Sequence, residues 1–125
     1  ERHGMNIEEL RDYCLSMADV TEKMPFTRFH GANSILVFYV HGKTFCYVDI
    51  DKFDSCLIKG NPETISQMKE RFACVQNPQH FQAKHWMQIR LNEDMDDGTL
   101  KELIRTSYEI VCSETQKKRK QELLS

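Results

Sequence analysis

Hydrophobic and polar residues alternate along the chain with two different periods, and the order of these periods predicts the fold. Apolar residues recur at helical spacing after Asn6, after the Asn61-Pro62 pair and after Thr99, and each of these positions carries a helix-start signal. Strand-like runs occupy residues 34–40, 43–49, 56–59 and 85–91. The predicted order is helix, hairpin, strand, helix, strand, helix, without a repeated βαβ unit. We therefore predict an α+β domain whose antiparallel sheet is built on a central hairpin, with helices packed on one face.

The hairpin is the strongest local signal. Two runs rich in β-branched and aromatic residues flank His41-Gly42, a two-residue turn that is typical of hairpins. Strict alternation from that turn assigns Phe45 and Tyr47 to one face and Cys46 to the other, and both faces are apolar. An ordinary half-exposed hairpin has one polar face. We expect either that the chain itself covers the sheet on both sides or that the aromatic hairpin face meets a partner.

The length of the chain predicts a single domain. Its 125 residues are enough for one hydrophobic core. Residues 1–4 precede a natural start at Met5 and are expected to be a cloning remnant; we assign the domain to residues 5–120 and a C-terminal tail to 121–125. No apolar run approaches the ~20 residues of a membrane-spanning helix, and no signal segment opens the chain. We therefore expect a cytoplasmic protein with no membrane contact.

The residues that commonly carry catalysis or bind metals form no recognisable motif. The five cysteines are odd in number and widely spaced, which is not typical of a disulfide framework or a zinc site. We expect free thiols that act as small core residues. No nucleophile elbow or phosphate-binding loop is present, so we predict no enzymatic activity and no cofactor. The acidic runs at 49–54 and 93–97 lack the further ligands of a calcium-binding loop and are explained as solvated turns.

The candidate functional segment is 82–91, which contains the only tryptophan. No acidic residue occurs between positions 76 and 92, although the chain has a net charge of −2. That net charge argues against wholesale electrostatic binding of nucleic acid, so only a local basic patch is available for it. In such a patch, cations contact phosphate while the indole ring stacks on a base or enters a groove. The candidate residues are Lys84, His85, Trp86 and Arg90.

Each of these residues also has a purely structural interpretation. A lone tryptophan is usually well buried, so the alternative interpretation of Trp86 is a core anchor. His85 is then a structural histidine, and Lys84 and Arg90 are solvated strand residues. The basic run at 117–120 is interpreted as a solvated helix end whose charges complement the helix dipole.

Four stretches of the chain resemble the MmcQ/YjbR family, over most of the sequence from Met5 to about Lys120. They are Met5–Ser16, Met24-Pro25-Phe26, Lys84-His85-Trp86 and Ile104–Val111. The most specific marks are the Lys84-His85-Trp86 triplet and the Ser107-Tyr108 pair. The resemblance implies a compact α+β domain of the frataxin/CyaY type and a proposed "double wing" mode of DNA binding, with an undefined biochemical role. Family members tend to carry a basic or asparagine-lysine lead-in to the triplet, whereas this chain has Phe81-Gln82-Ala83.

The first hypothesis is a non-enzymatic protein that binds double-stranded DNA. It uses Lys84, His85, Trp86 and Arg90, with Lys43 at the tip of the hairpin. The alternative is a protein-interaction or small-ligand module that uses the aromatic hairpin face, with a homodimer as one form of that interaction. Metal binding on the acidic turns is a weaker third hypothesis, because it rests on the frataxin-like fold alone.

Overall fold

One antiparallel sheet organises the part of the chain that the computed structural model describes, residues 4–24 and 34–124. The helices are α1 (Ile7–Leu15), α2 (Pro62–Arg71) and α3 (Asp97–Leu124). The strands are β1 (Val20–Lys23), β2 (Ile35–Val40), β3 (Lys43–Asp49), β4 (Ser55–Lys59), β5 (Val75–Gln76) and β6 (Trp86–Arg90). The Met24-Pro25-Phe26 motif extends outside the described residues.

The sheet has the strand order β1-β2-β3-β4-β6-β5, and every neighbouring pair is antiparallel. A row of paired residues crosses its centre on one face: Phe38, Cys46, Ile58 and Met87. All four are at most 1% exposed, and they belong to the same core cluster as Leu10 of α1 and Ile104 of α3. The predicted α+β class, an antiparallel sheet with helices packed on it, is confirmed. We call the opposite face of the sheet the outer face.

The local start and turn signals act as the sequence predicts. Asn6 accepts a hydrogen bond from the Glu9 amide at 2.9 Å and thereby caps α1. Asn61 caps α2 in the same way, with the Thr64 amide at 2.8 Å. His41 and Gly42 both have positive φ values, 52° and 79°. Two such residues are what a type I′ turn requires, so the predicted hairpin is confirmed.

The predicted face of Phe45 is wrong, because the hairpin contains a β-bulge. Phe38 pairs with Cys46, but the next residue of β2, Tyr39, pairs with Thr44, which leaves Phe45 without a partner in the register. The extra residue shifts the alternation, so Phe45 and Cys46 are both fully buried. Phe45 packs edge-on against Tyr108 of α3 with ring centroids 5.6 Å apart. It therefore belongs to the core and does not contribute to an aromatic surface for a partner.

The Ser107-Tyr108 pair fixes α3 to the sheet at this bulge. The buried Ser107 hydroxyl donates to the Phe45 carbonyl at 2.6 Å and accepts from the Lys59 amide at 2.8 Å. It thus satisfies one backbone group on β3 and one on β4, just beyond Cys46 and Ile58, where the paired register of these two strands ends. The Tyr108 hydroxyl donates to the carbonyl of Ala18 at 2.7 Å. Both residues therefore have structural roles in this fold.

Helix α3 is longer at both ends than the periodicity predicts. It begins at Asp97, and Asp96 caps it by accepting a hydrogen bond from the Thr99 amide at 3.1 Å. It continues without a break to Leu124, through the basic run at 117–120. In the described ranges, no helix combines the length and apolarity needed to cross a membrane.

Candidate functional site

The strand directions give the sheet two chemically different ends. Strand β3 starts at Lys43, β4 finishes at Lys59 and β6 starts at Trp86, and because neighbouring strands are antiparallel these residues lie at one end. The other end carries Asp49, Ser55 and Arg90. The two ends bring together different parts of the sequence-predicted site.

The C-terminal half of α3 reaches the end of the sheet where Lys43 lies. Lys59 Nζ binds a carboxylate oxygen of Glu114 at 2.8 Å, and His41 Nδ1 lies 3.2 Å from the Thr115 hydroxyl. These contacts hold α3 beside the hairpin tip, and the helix then continues past them. We define the basic end by its exposed cations: Lys43, Lys84, Lys117, Lys118, Arg119 and Lys120. Within residues 4–24 and 34–124, none of these six cations has an ion-pair partner.

The opposite end is acidic. Two turns and the start of α3 bring carboxylates together there, namely Asp49, Asp51, Asp54, Glu93, Asp94, Asp96 and Asp97. Arg90 also lies at this end, where it forms a salt bridge of 2.9 Å with Glu93. The net charge of −2 therefore conceals a separation of charge along the strands.

The structure separates the residues that the sequence grouped as one site. Lys84 is exposed in the turn that leads into β6, while the side chain of His85 is half-buried. The His85 carbonyl accepts a hydrogen bond from the Gly60 amide at 2.9 Å, which fixes the start of β6 beside the end of β4. Arg90 lies four residues after Trp86 in β6, a separation of about 13 Å along the strand. Lys43 and Lys84 thus share an end of the sheet, and Arg90 is not part of it.

Trp86 is half-buried on the outer face, where it is one of three packed aromatic rings. Its ring centroid lies 5.1 Å from that of Phe81 and 5.8 Å from that of Tyr47. Phe81 and Tyr47 pack edge-on at 5.0 Å. Lys59 Nζ lies 5.7 Å from the centroid of Trp86, which places a cation over this ring. Trp86 therefore anchors the outer face and is not part of the core under the helices.

A cleft lies beside these rings on the outer face, and the sequence did not indicate it. We call it the outer cleft; its volume is about 560 Å³. The segment 79–81 forms one wall, and the sheet forms the floor. Tyr47, Leu57 and Gln88 are direct cross-strand neighbours, so their side chains share the outer face. Only the fold brings Phe81 to this row, because its segment has no periodic pattern.

The cysteines form no surface site. All five thiols are free, and Cys14, Cys46, Cys56 and Cys74 are buried. A hydrogen bond with Cys14, together with burial, raises the pKa of the Cys46 thiol well above its usual value. Burial and the neighbouring Asp94 carboxylate raise the pKa of Cys74 to about 12. The described residues contain no cluster of three or more His, Cys, Asp or Glu side chains suited to a metal ion.

The fold and the site define a small α+β protein, with an antiparallel sheet that has helices on one face and a basic end. The YjbR family model matches residues 15–110, and the chain belongs to this family. The resemblance found in the sequence is thereby confirmed.

Solved structures show the same fold. The Deinococcus radiodurans protein DR2400, a DUF419 domain, is 24% identical, with a TM-score of 0.76 over 85% of this chain and 78% of that one. A protein from Pseudomonas syringae is 18% identical, with a TM-score of 0.68 over 85% of this chain and 98% of that one. No match was found among curated proteins.

Proposed function

We propose that this YjbR protein is a non-enzymatic DNA-binding protein whose basic end contacts the phosphate backbone of duplex DNA. The proposal includes Lys43 on the β2–β3 hairpin as one wing and Lys84 before β6 as the other. It also includes the α3 cations at 117–120, which the sequence alone does not connect to the hairpin. Arg90 is left out because it is paired with Glu93 at the acidic end.

The observation that carries the proposal is the position of the C-terminal half of α3. The Lys59–Glu114 and His41–Thr115 contacts hold this helix beside the hairpin tip, so three segments that are distant in sequence contribute cations to one end. Such a local cluster favours attraction of a polyanion even when the net charge is slightly negative. The acidic end repels the same polyanion and thereby favours one orientation of the protein on DNA.

Trp86 and His85 have supporting roles in this proposal. Because Trp86 packs against Phe81 and Tyr47, its half-buried indole ring is held in place two residues after the exposed Lys84. A fixed ring beside a phosphate contact is suited to packing on the sugar–phosphate surface. His85 holds the turn through its carbonyl and thereby positions Lys84. Phosphate contacts position a protein on DNA and carry no direct sequence information, so the proposal implies little sequence preference.

Titration of the protein against a labelled short DNA duplex, followed by fluorescence anisotropy, tests the proposal. We expect binding at about 50 mM salt that weakens steeply towards about 200 mM, as release of counterions requires. The double variant Lys43→Ala/Lys84→Ala is expected to bind more weakly, with the slope of log K against log salt reduced by about 0.9 for each lost contact. The matched control is Lys52→Ala/Lys69→Ala, which removes the same charge away from the basic end.

Two results contradict the proposal. One is the absence of any duplex binding at low salt. The other is an equal loss of binding in both double variants, which means that overall charge, and not the basic end, governs the interaction.

A cytoplasmic location belongs to the same proposal and is supported by the five free thiols, since disulfides are rare in reducing compartments.

A further inference from the structure

We propose that the outer cleft binds a small aromatic molecule that carries a cationic amine. This goes beyond the proposed DNA binding and uses the opposite end of the sheet. The cleft combines aromatic and aliphatic walls with a negatively charged end, which are the two features that such a ligand requires.

The walls are suited to a flat apolar group. Ile35 and Leu57 and the ring of Tyr47 form the apolar part of the floor, and Phe81 stands at the side. Tyr47 and Phe81 are held by their edge-on contact of 5.0 Å, and the Tyr47 hydroxyl donates to Thr44 at 2.9 Å. The rings are therefore fixed before a ligand arrives, which lowers the entropic cost of binding. A volume of about 560 Å³ lies within the range of small-molecule sites.

The far end of the cleft supplies a fixed negative charge. Asp49 Oδ1 accepts hydrogen bonds from the Ser34 hydroxyl at 2.9 Å and from the amides of Asp51 and Lys52 at 3.0 and 3.2 Å. Although burial opposes ionisation, these hydrogen bonds outweigh it and lower the pKa of Asp49. The carboxylate is therefore ionised at neutral pH. Every hydrogen bond that it accepts from the described residues falls on Oδ1, so Oδ2 remains an acceptor for a ligand.

The other charged groups at this end leave a negative balance. Asp54 also lines the cleft, and Lys52 is the one lysine or arginine among the described lining residues. His80 lies on the wall beside Phe81. Two carboxylates against one ammonium group favour a cationic ligand and disfavour a phosphate or carboxylate. This preference separates the cleft from the basic end, where the sign of the charge is reversed.

A fixed amide provides a second acceptor on the floor. The Gln88 side-chain nitrogen donates to the Ser55 hydroxyl at 3.2 Å, which orients the amide. Its carbonyl oxygen is not used in a hydrogen bond among the residues described, so it is available to an N–H or O–H group of a ligand. The cleft thus offers acceptors at its centre and at its acidic end.

A pair of probes with the same ring and opposite charge tests this proposal: tyramine and 4-hydroxyphenylacetate. Each is titrated into ¹⁵N-labelled protein, and amide chemical shifts are followed by NMR. We expect tyramine to shift the amides of residues 47–57 and 79–88 in a saturable manner. A preference for tyramine on the order of tenfold is expected, which corresponds to about 1.4 kcal/mol.

Variants separate the charge from the aromatic walls. Asp49→Asn is expected to remove most of the preference between the two probes, and Phe81→Ala to weaken both. Asp49 also stabilises its own turn, so a second charge variant is needed. Asp54→Asn removes a lining carboxylate that forms none of those turn hydrogen bonds, and it should lower the preference for tyramine severalfold. The matched control is Asp51→Asn, which removes an exposed carboxylate outside the cleft lining.

The proposal is overturned if neither probe produces saturable shifts at the cleft, or if both bind equally well. It is also overturned if Asp51→Asn reduces the preference as much as Asp49→Asn and Asp54→Asn do. These titrations contain no DNA, and Lys43→Ala/Lys84→Ala is expected to bind tyramine like the unaltered protein. Failure of the cleft proposal is therefore distinguishable from failure of DNA binding.

Discussion

Ser107 and Phe45 are joined across 62 sequence positions by a hydrogen bond of 2.6 Å from the serine hydroxyl to the phenylalanine carbonyl. The same hydroxyl accepts a hydrogen bond from the Lys59 amide, so one side chain of α3 links β3 to β4 next to the bulge between β2 and β3. This relationship explains the position of Phe45 in the core. It also gives a structural role to the Ser107-Tyr108 pair, one of the most specific marks of the family resemblance.

Replacement of Ser107 by alanine is expected to destabilise the fold without a direct effect on DNA binding. It leaves the Phe45 carbonyl and the Lys59 amide without their partner, and each unpaired buried group costs about 1–3 kcal/mol. Urea unfolding followed by tryptophan fluorescence measures the loss. Ser113→Ala, at an exposed position of the same helix, is the control and should be nearly neutral. Equal stability of the two variants contradicts the structural role.

Much of the fold was predictable because it depends on local signals. The caps at Asn6 and Asn61 and the turn at His41-Gly42 each act within a few residues, and the structure contains all three. The strand predicted at 85–91 is also present as β6, whose alternating residues Met87 and Ile89 lie in the core, where both are 1% exposed. The sequence analysis missed β1 and β5. Strand β1 has one apolar residue, Val20, and β5 has only two residues, so neither displays an apolar period.

The features that depend on distant contacts were not predictable. The bulge at Phe45 is stabilised by Ser107, and no pattern within the hairpin indicates it. The candidate site was only partly predictable for the same reason. Arg90 and Lys84 are close in sequence and were therefore grouped, but the direction of β6 places them at opposite ends of the sheet, where Arg90 pairs with Glu93. The contact between Lys59 and Glu114, which no local pattern indicates, brings the α3 cations to the basic end.

Removal of the Glu114 charge is expected to strengthen DNA binding. Glu114→Gln releases Lys59 from its ion pair, while the Ser107 and Tyr108 hydrogen bonds and the His41–Thr115 contact still hold α3 against the sheet. An exposed pair of this kind contributes less than about 1 kcal/mol to stability. Affinity for duplex DNA should rise severalfold, and the salt slope should increase by about 0.9 if Lys59 gains a phosphate contact. Anisotropy titrations at several salt concentrations provide the measurement.

Glu109→Gln is the matched control for this prediction. It removes the same charge from the same helix but lies nearer the N-terminus, where Glu109 faces Arg105 at 3.7 Å. A larger gain for Glu114→Gln than for Glu109→Gln is expected. Equal gains would show that the total charge matters and that the basic end has no special role.

The thiols are expected to differ in their reactivity towards iodoacetamide. The thiolate is the reactive form. A hydrogen bond with Cys14, together with burial, raises the pKa of Cys46, and burial raises the pKa of Cys56 and Cys74. Half-buried Cys112 should therefore be alkylated first in the native protein. Peptide mass spectrometry after short exposures gives the order, and labelling in urea shows that all five sites are reactive when exposed. Rapid native labelling of Cys46 would contradict its position in the core.

The Asp94 carboxylate is expected to make stability depend on acidic pH. The Asp94 carboxylate accepts hydrogen bonds from the Cys74 thiol and from the amides of Ala73 and Cys74, the amides at 2.6 and 3.0 Å. These hydrogen bonds outweigh the effect of desolvation, so the pKa of Asp94 is lowered in the folded protein. A lowered folded pKa means that its contribution is fully present above the unfolded value of about 3.9 and is lost as the pH falls through the folded value. Asp94→Asn should therefore lower the urea midpoint at neutral pH, and the difference in midpoint between this variant and the unaltered protein should narrow below about pH 4.

The control is Glu70→Gln, at an exposed position of α2, which should differ little from the unaltered protein at any pH. A gap between Asp94→Asn and the unaltered protein that stays constant down to about pH 2 would mean that the carboxylate does not stabilise this turn through its charge.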